Sequence, residues 1–69
     1  MKKLNIIQIG IVAIEIKKNV EKMRDFSNKE PAFNVGCYGK KIELLTDLIL
    51  NGYNENLGFK VELSCITQI

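Results

Sequence analysis

The side chains that could support covalent or metal chemistry are few in this sequence. It contains two cysteines, Cys37 and Cys65, and no histidine. Without histidine the commonest general base is missing, and no Cys–His pair is available to activate a thiol. The cysteines also fall short of the four Cys/His ligands that a structural zinc site needs. We therefore expect no enzymatic activity, no metal and no cofactor.

The two cysteines and the opening stretch both bear on the compartment. A single disulfide between Cys37 and Cys65 is geometrically possible, but we expect two reduced and partly buried thiols, because free Cys packs as a small hydrophobe. The apolar stretch after the initial Met-Lys-Lys lacks a small-residue cleavage site and is shorter than the roughly 20 residues of a membrane span. We expect a cytoplasmic protein that does not engage a membrane.

The segment Val35–Lys41 is the strongest local motif for ligand binding. Gly36 and Gly39 allow close backbone approach, and Lys40 and Lys41 follow at the predicted start of a helix. Free N–H groups beside two ammonium groups suit a phosphate. These four residues are the candidate anion-binding site, with a tight strand-to-helix turn as the alternative explanation of the glycines.

The pattern V-G-x-x-G-x-x-I-x-x-L, from Val35 to Leu45, is similar to the GXXG segment of KH nucleic-acid-binding domains. The resemblance covers about eleven residues, and it implies a loop that clamps a nucleotide backbone. What precedes it here reads as a strand that follows Pro31, whereas a KH domain has a helix at that place.

The opening stretch is rich in isoleucine but follows helical spacing. An apolar stripe with steps of three and four residues predicts a helix from Leu4 to Phe26 whose stripe faces the core. Its members are Ile6, Ile9, Ala13, Ile16, Val20 and Met23. Because Ile also favours strands, a strand over Leu4–Ile9 followed by a helix from Ile11 stays open.

Four further features complete the secondary structure. Ser27–Pro31 predicts a turn that ends the first helix. Ala32–Cys37 alternates and predicts a short strand, and Lys40–Asn51 predicts a second helix, for which Gly52 is a natural C-terminal cap. The last segment predicts a strand, in which alternate residues face one side: Phe59, Val61, Leu63 and Cys65.

The predicted fold is α+β, a single small domain over residues 1–69 with the order α-β-α-β, or β-α-β-α-β with an N-terminal strand. Two strands seldom form a stable sheet alone, and a chain this small has a marginal core. We therefore expect dimerisation to complete the sheet. The candidate dimer interface is a second apolar stripe on the first helix: Leu4, Ile7, Ile11 and Ile14. An equally open alternative is that the second helix of the same chain covers this stripe.

The function class that remains is binding. A net charge of +2 is too small to indicate nucleic acid or membrane. We expect a homodimeric, non-enzymatic regulator or inhibitor that binds a larger protein, a class that includes proteins carried by mobile elements. Tyr38, Tyr53 and Asn54 form the candidate partner surface, because Tyr and Asn are frequent in adaptable contacts. The alternative function is binding of nucleic acid or nucleotide phosphate through the segment from Gly36 to Lys41.

Overall fold

Three helices make up the part of the chain that the structure describes. The structure is a computed structural model that describes residues 1–26 and 32–68. Helix α1 comprises Ile6–Phe26, α2 comprises Ala32–Asn51 and α3 comprises Phe59–Thr67. The described residues contain no sheet, so the α+β prediction is wrong in both versions and there is no sheet for a dimer to complete.

Helix α1 is the predicted first helix, and it begins two residues later than predicted. Its start is a reciprocal cap. The Asn5 N–H donates to Gln8 Oε1 at 2.9 Å, and the Gln8 N–H donates to Asn5 Oδ1 at 2.8 Å. This capping box satisfies two backbone donors that a helix start otherwise leaves without a partner. The open alternative of a strand over Leu4–Ile9 is therefore wrong.

The side of α1 that faces the core differs from the predicted stripe in its first half. Val12 is fully buried, whereas Ile6, the first member of the predicted stripe, is 88% exposed. Asn19 is also buried, and its Nδ2 donates to the Glu15 carbonyl at 2.8 Å, so the amide is satisfied within its own helix. The predicted core positions are wrong for the first half of the stripe (Ile6, Ile9 and Ala13), while its second half is partly buried (Ile16, Val20 and Met23).

Helix α2 begins eight residues before the predicted second helix, so the strand predicted over Ala32–Cys37 is wrong. A helical Gly costs only about 1 kcal/mol relative to Ala, a penalty that packing between helices can offset. Gly39 provides such a contact, because a Cβ placed there would lie 4.0 Å from Met23 Sδ. The predicted turn at Ser27–Pro31 lies outside the described residues.

Helix α3 replaces the strand predicted from Phe59. Three apolar residues of this segment also follow helical spacing. Phe59 is buried, and Leu63 and Ile66, four and seven residues later, pack against the same core. A helix places such residues on one face, and it leaves no strand edge that needs a partner.

The helices α1 and α2 form an antiparallel pair, and α3 packs on α2. The antiparallel direction follows from two contacts, Met23 with Gly39 at one end and Lys2 with Tyr53 at the other. The core lies between the helices and is closed by the residues that connect α2 to α3. Its buried members are Val12, Leu45, Leu48, Tyr53 and Phe59.

The connection between α2 and α3 is fixed by backbone hydrogen bonds. Gly52 caps α2 as predicted, with φ of 85° and an N–H that donates to the Leu48 carbonyl at 2.9 Å. This left-handed conformation suits glycine. The next residue, Tyr53, pairs with Lys2 as an isolated antiparallel bridge. The segment before α1 is therefore attached to the end of α2.

Candidate functional site: the apolar face and groove of the first helix

Three isoleucines of α1 form an exposed surface that we call the apolar face: Ile7, Ile11 and Ile14. Residues spaced by three and four lie on one side of a helix. Their exposed fractions are 75% for Ile7, 40% for Ile11 and 57% for Ile14. Leu4, the fourth member of the predicted interface, instead packs against the core. The structure thus groups three of the four predicted residues, and α2 of the same chain leaves them exposed.

A groove of about 840 Å³ lies beside the apolar face, between α1 and α3. Ile11 lines it from α1, Tyr53 and Phe59 line it from the core, and Leu57 and Val61 line it from the start of α3. Leu57 is 52% exposed and Val61 is 49% exposed. The apolar face therefore continues through Ile11 into an apolar groove.

The α3 side of the groove was missed at the sequence level. Val61 lies in the strand predicted from Phe59, and Leu57 lies in none of the predicted elements. Leu57 lies in the turn before α3, Gly58 has a left-handed φ of 83°, and Val61 is the third residue of the helix. Both side chains line the groove, and no spacing in the sequence indicates that they do.

Charged residues of both signs also line the groove. Lys2, Glu55 and Lys60 contribute to its lining, and Gln8 of the capping box lies on the α1 side. An apolar centre with mixed polar groups at its border is the composition of protein interfaces. It contrasts with the single-sign patch that binds nucleic acid.

The residues predicted to bind phosphate lie inside α2. Gly36 and Gly39 are the fifth and eighth residues of this helix, beyond the first four residues whose N–H groups lack a helical partner. The Lys40 Nζ lies 3.9 Å from Glu43 Oε2, on an exposed part of the helix. The predicted strand-to-helix turn is therefore wrong, and the KH-like GXXG segment is helical here. Phosphate binding by these residues stays a prediction.

The aromatic residue of this segment, Tyr38, lies between two ammonium groups. The Lys22 Nζ is 6.0 Å and the Lys41 Nζ is 5.7 Å from the centre of its ring. Contacts of this length between an ammonium and an aromatic ring are weakly favourable. The Lys22 contact connects α1 to α2, and the Lys41 contact lies within α2.

The candidate partner residues Tyr38, Tyr53 and Asn54 do not form one surface. Tyr53 is buried, and its ring meets that of Phe59 edge to face at 5.8 Å between centroids. Asn54 is exposed, and its N–H donates to Glu62 Oε2 at 3.0 Å. Tyr53 contributes to the core beneath the groove, and Tyr38 lies on α2 fifteen residues earlier.

The thiols of Cys37 and Cys65 are free, and both residues are exposed. Their predicted burial is therefore wrong. Among residues 1–26 and 32–68, no group of three or more Cys, Asp or Glu side chains is placed to hold a metal ion.

The described helices include none with the length and apolar character of a bilayer span. In comparisons with known proteins, no family model, no curated protein and no solved structure matches this chain. The similarity to KH domains thus rests on Val35–Leu45 alone.

Proposed function

We propose that this chain is a non-enzymatic regulator or inhibitor that acts by protein association, and that its binding surface is the apolar face of α1 with the adjoining groove. The observation that carries the proposal is the exposure of Ile7, Ile11 and Ile14 next to a groove lined by Leu57 and Val61. Soluble monomers seldom expose contiguous apolar surface of this kind unless it binds something.

The arrangement supports an apolar interface over the alternative of phosphate binding. The exposed aliphatic side chains are grouped, whereas Lys40 is next to Glu43 and Lys41 is next to Tyr38. The two functions respond differently to salt. Binding to phosphates weakens steeply as the salt concentration rises, while an interface dominated by aliphatic contacts changes little.

The proposal is tested by photocrosslinking in living cells. A photoreactive amino acid replaces Ile7, which is three-quarters exposed, or Glu43, which is on the solvent side of α2 and does not line the groove. We expect a protein adduct of defined mass from position 7 and none from position 43. We also expect Ile11→Glu in the same labelled chain to remove the adduct, because it places a charge in the centre of the surface.

Two results would contradict the proposal. Equal adducts from positions 7 and 43 would show that capture does not depend on the apolar face. The absence of any adduct from position 7 would show that the surface binds no protein. An adduct with a second copy of the chain counts as protein association, and its mass identifies it.

A further inference from the structure

The molecule is elongated and thin. Its radius of gyration is 12.7 Å, whereas about 11 Å is typical of a compact chain of 69 residues. The principal extents are 39 × 19 × 16 Å. Because a helix with its side chains is about 10 Å across, the molecule is only two helices thick in each short direction. A thin molecule of this kind leaves much of the surface of its helices open to a further helical layer.

We infer that the groove and the apolar face are covered by a second copy of this chain, with the two α1 helices antiparallel across a two-fold axis near Ile11. This inference names the partner of the proposed protein-binding surface and therefore rests on that proposal. The area available and the combination of an apolar face with a groove on one surface favour a second copy as the occupant.

The exposed apolar area matches the requirement of a dimer. Ile7, Ile11, Ile14, Leu57 and Val61 are each between 40% and 75% exposed. Together they expose on the order of 500 Å² of mainly apolar surface. A standard interface buries about 800 Å² on each partner, of which about 60% is apolar. The surface thus supplies the apolar share of one side of such an interface.

The surface contains a projecting part, the apolar face of α1, and a recessed part, the groove. Ile7 and Ile14 project from α1 on either side of Ile11, and Ile11 is also a wall of the groove. In a two-fold dimer each patch meets its own copy. The apolar face of one α1 then packs against the apolar face of the other copy, and the two Ile11 side chains lie at the edges of both grooves.

The charge of α1 determines the orientation. Its first nine residues, Ile6–Ile14, carry no charge, and the rest of the helix, which we call its charged half, carries four basic and three acidic residues: Lys17, Lys18, Lys22, Arg24, Glu15, Glu21 and Asp25. A parallel pair would bring the two charged halves together, at a cost from the desolvation of their charged side chains. An antiparallel crossing near Ile11 pairs the aliphatic halves and leaves the charged halves at opposite ends. Ile7 of one copy then faces Ile14 of the second copy.

Analytical ultracentrifugation of the purified chain tests the dimer. We expect sedimentation at twice the chain mass of 7.8 kDa at tens of micromolar concentration. The double variant Ile7→Glu with Ile11→Glu should sediment as a monomer, with a dissociation constant raised at least a hundredfold. The matched control is Leu50→Glu. It also places a charge at an exposed aliphatic residue, which is 70% exposed on α2 and lies outside the groove, and it should remain dimeric.

Crosslinking by an engineered disulfide tests the orientation, and it does not depend on the glutamate variants being folded. In a chain that carries Cys37→Ser and Cys65→Ser, Ile11→Cys should form a disulfide-linked dimer upon mild oxidation, because the two Ile11 positions flank the axis. The same change at Glu43 should give little crosslinking.

Several outcomes would overturn the inference. These are a monomer mass for the unmodified chain up to several hundred micromolar, a dimer that survives Ile7→Glu with Ile11→Glu, or equal crosslinking through positions 11 and 43. If the chain is monomeric while the photoreactive group at position 7 still captures another protein in cells, the second copy is excluded. The proposed protein-binding function then stands on its own.

Discussion

Lys2 and Tyr53 exchange two backbone hydrogen bonds across the end of α2. The Lys2 N–H donates to the Tyr53 carbonyl at 2.9 Å, and the Tyr53 N–H donates to the Lys2 carbonyl at 2.8 Å. The pair passes directly over Gly52, where a Cβ would collide with the Lys2 carbonyl oxygen. This junction therefore requires glycine for two reasons, its left-handed backbone and the closeness of another backbone.

Replacing Gly52 with alanine should destabilise the protein by about 1–3 kcal/mol, because the substitution is strained at φ of 85° and forces Lys2 away from Tyr53. Urea denaturation at fixed protein concentration measures the loss. Gly36→Ala is the matched control: it lies inside α2 with open space around it, and it should raise the free energy of unfolding by about 0.5–1 kcal/mol. A stabilising Gly52→Ala would contradict the described junction.

The capping box of α1 should contribute measurably to stability. Asn5→Ala removes the side-chain acceptor of the Gln8 N–H and should cost about 1 kcal/mol in the free energy of unfolding. Asn5→Asp keeps the acceptor and adds a favourable charge at the start of a helix, so it should retain or exceed the original stability. Thermal melts followed by circular dichroism compare the two variants. Equal melting temperatures for Asn5→Ala and Asn5→Asp would show that the cap does not form.

Asn19 is buried, and its amide is hydrogen-bonded to the carbonyl of Glu15 in its own helix. Because that carbonyl also accepts a bond in the helix ladder, leucine at this position loses little and gains apolar contact. Asn19→Leu should leave the free energy of unfolding unchanged or raise it by up to about 1 kcal/mol. Asn19→Asp buries a charge and should lower it by several kcal/mol. A large loss in the leucine variant would mean that Asn19 has a further partner.

The two thiols should be free and accessible in the folded protein. Cys37 and Cys65 are exposed, so a thiol reagent should modify two thiols per chain without denaturant, and a reductant should leave the melting temperature unchanged. A Cys37→Ser variant, which retains only Cys65, should titrate as a single thiol. A fall of several degrees upon reduction would instead indicate a disulfide.

Periodicity predicted α1 correctly because its apolar residues repeat over about five turns. It failed for α3, where Phe59 and Leu63 satisfy both strand and helix spacing, and only Ile66 separates the two. That residue breaks the alternation and fits the helix. At the start of α2 the glycines suggested a turn, but their low helix propensity costs little, and Gly39 also permits contact with Met23 of α1.

The candidate site could be predicted in part, because three of its residues lie on α1, whose helical periodicity is clear in the sequence. Ile7, Ile11 and Ile14 follow from helical spacing alone, which the sequence contains. Leu57 and Val61 depend on how α3 lies beside α1, and this placement follows from the Lys2–Tyr53 bridge and the Phe59 contact. Long-range contacts of this kind leave no local pattern in a single sequence.

Helix α3 has only nine residues, too few for an isolated helix to persist in water. It is held by the packing of Phe59, Leu63 and Ile66 and by the bond from Asn54 to Glu62. Its amide hydrogens should therefore exchange with solvent through a local opening of lower free energy than the separation of α1 from α2. Since α3 forms one wall of the groove, an occupant would have to suppress that opening. Amide exchange in α3, measured as a function of protein concentration, thus reports how much of the groove is filled.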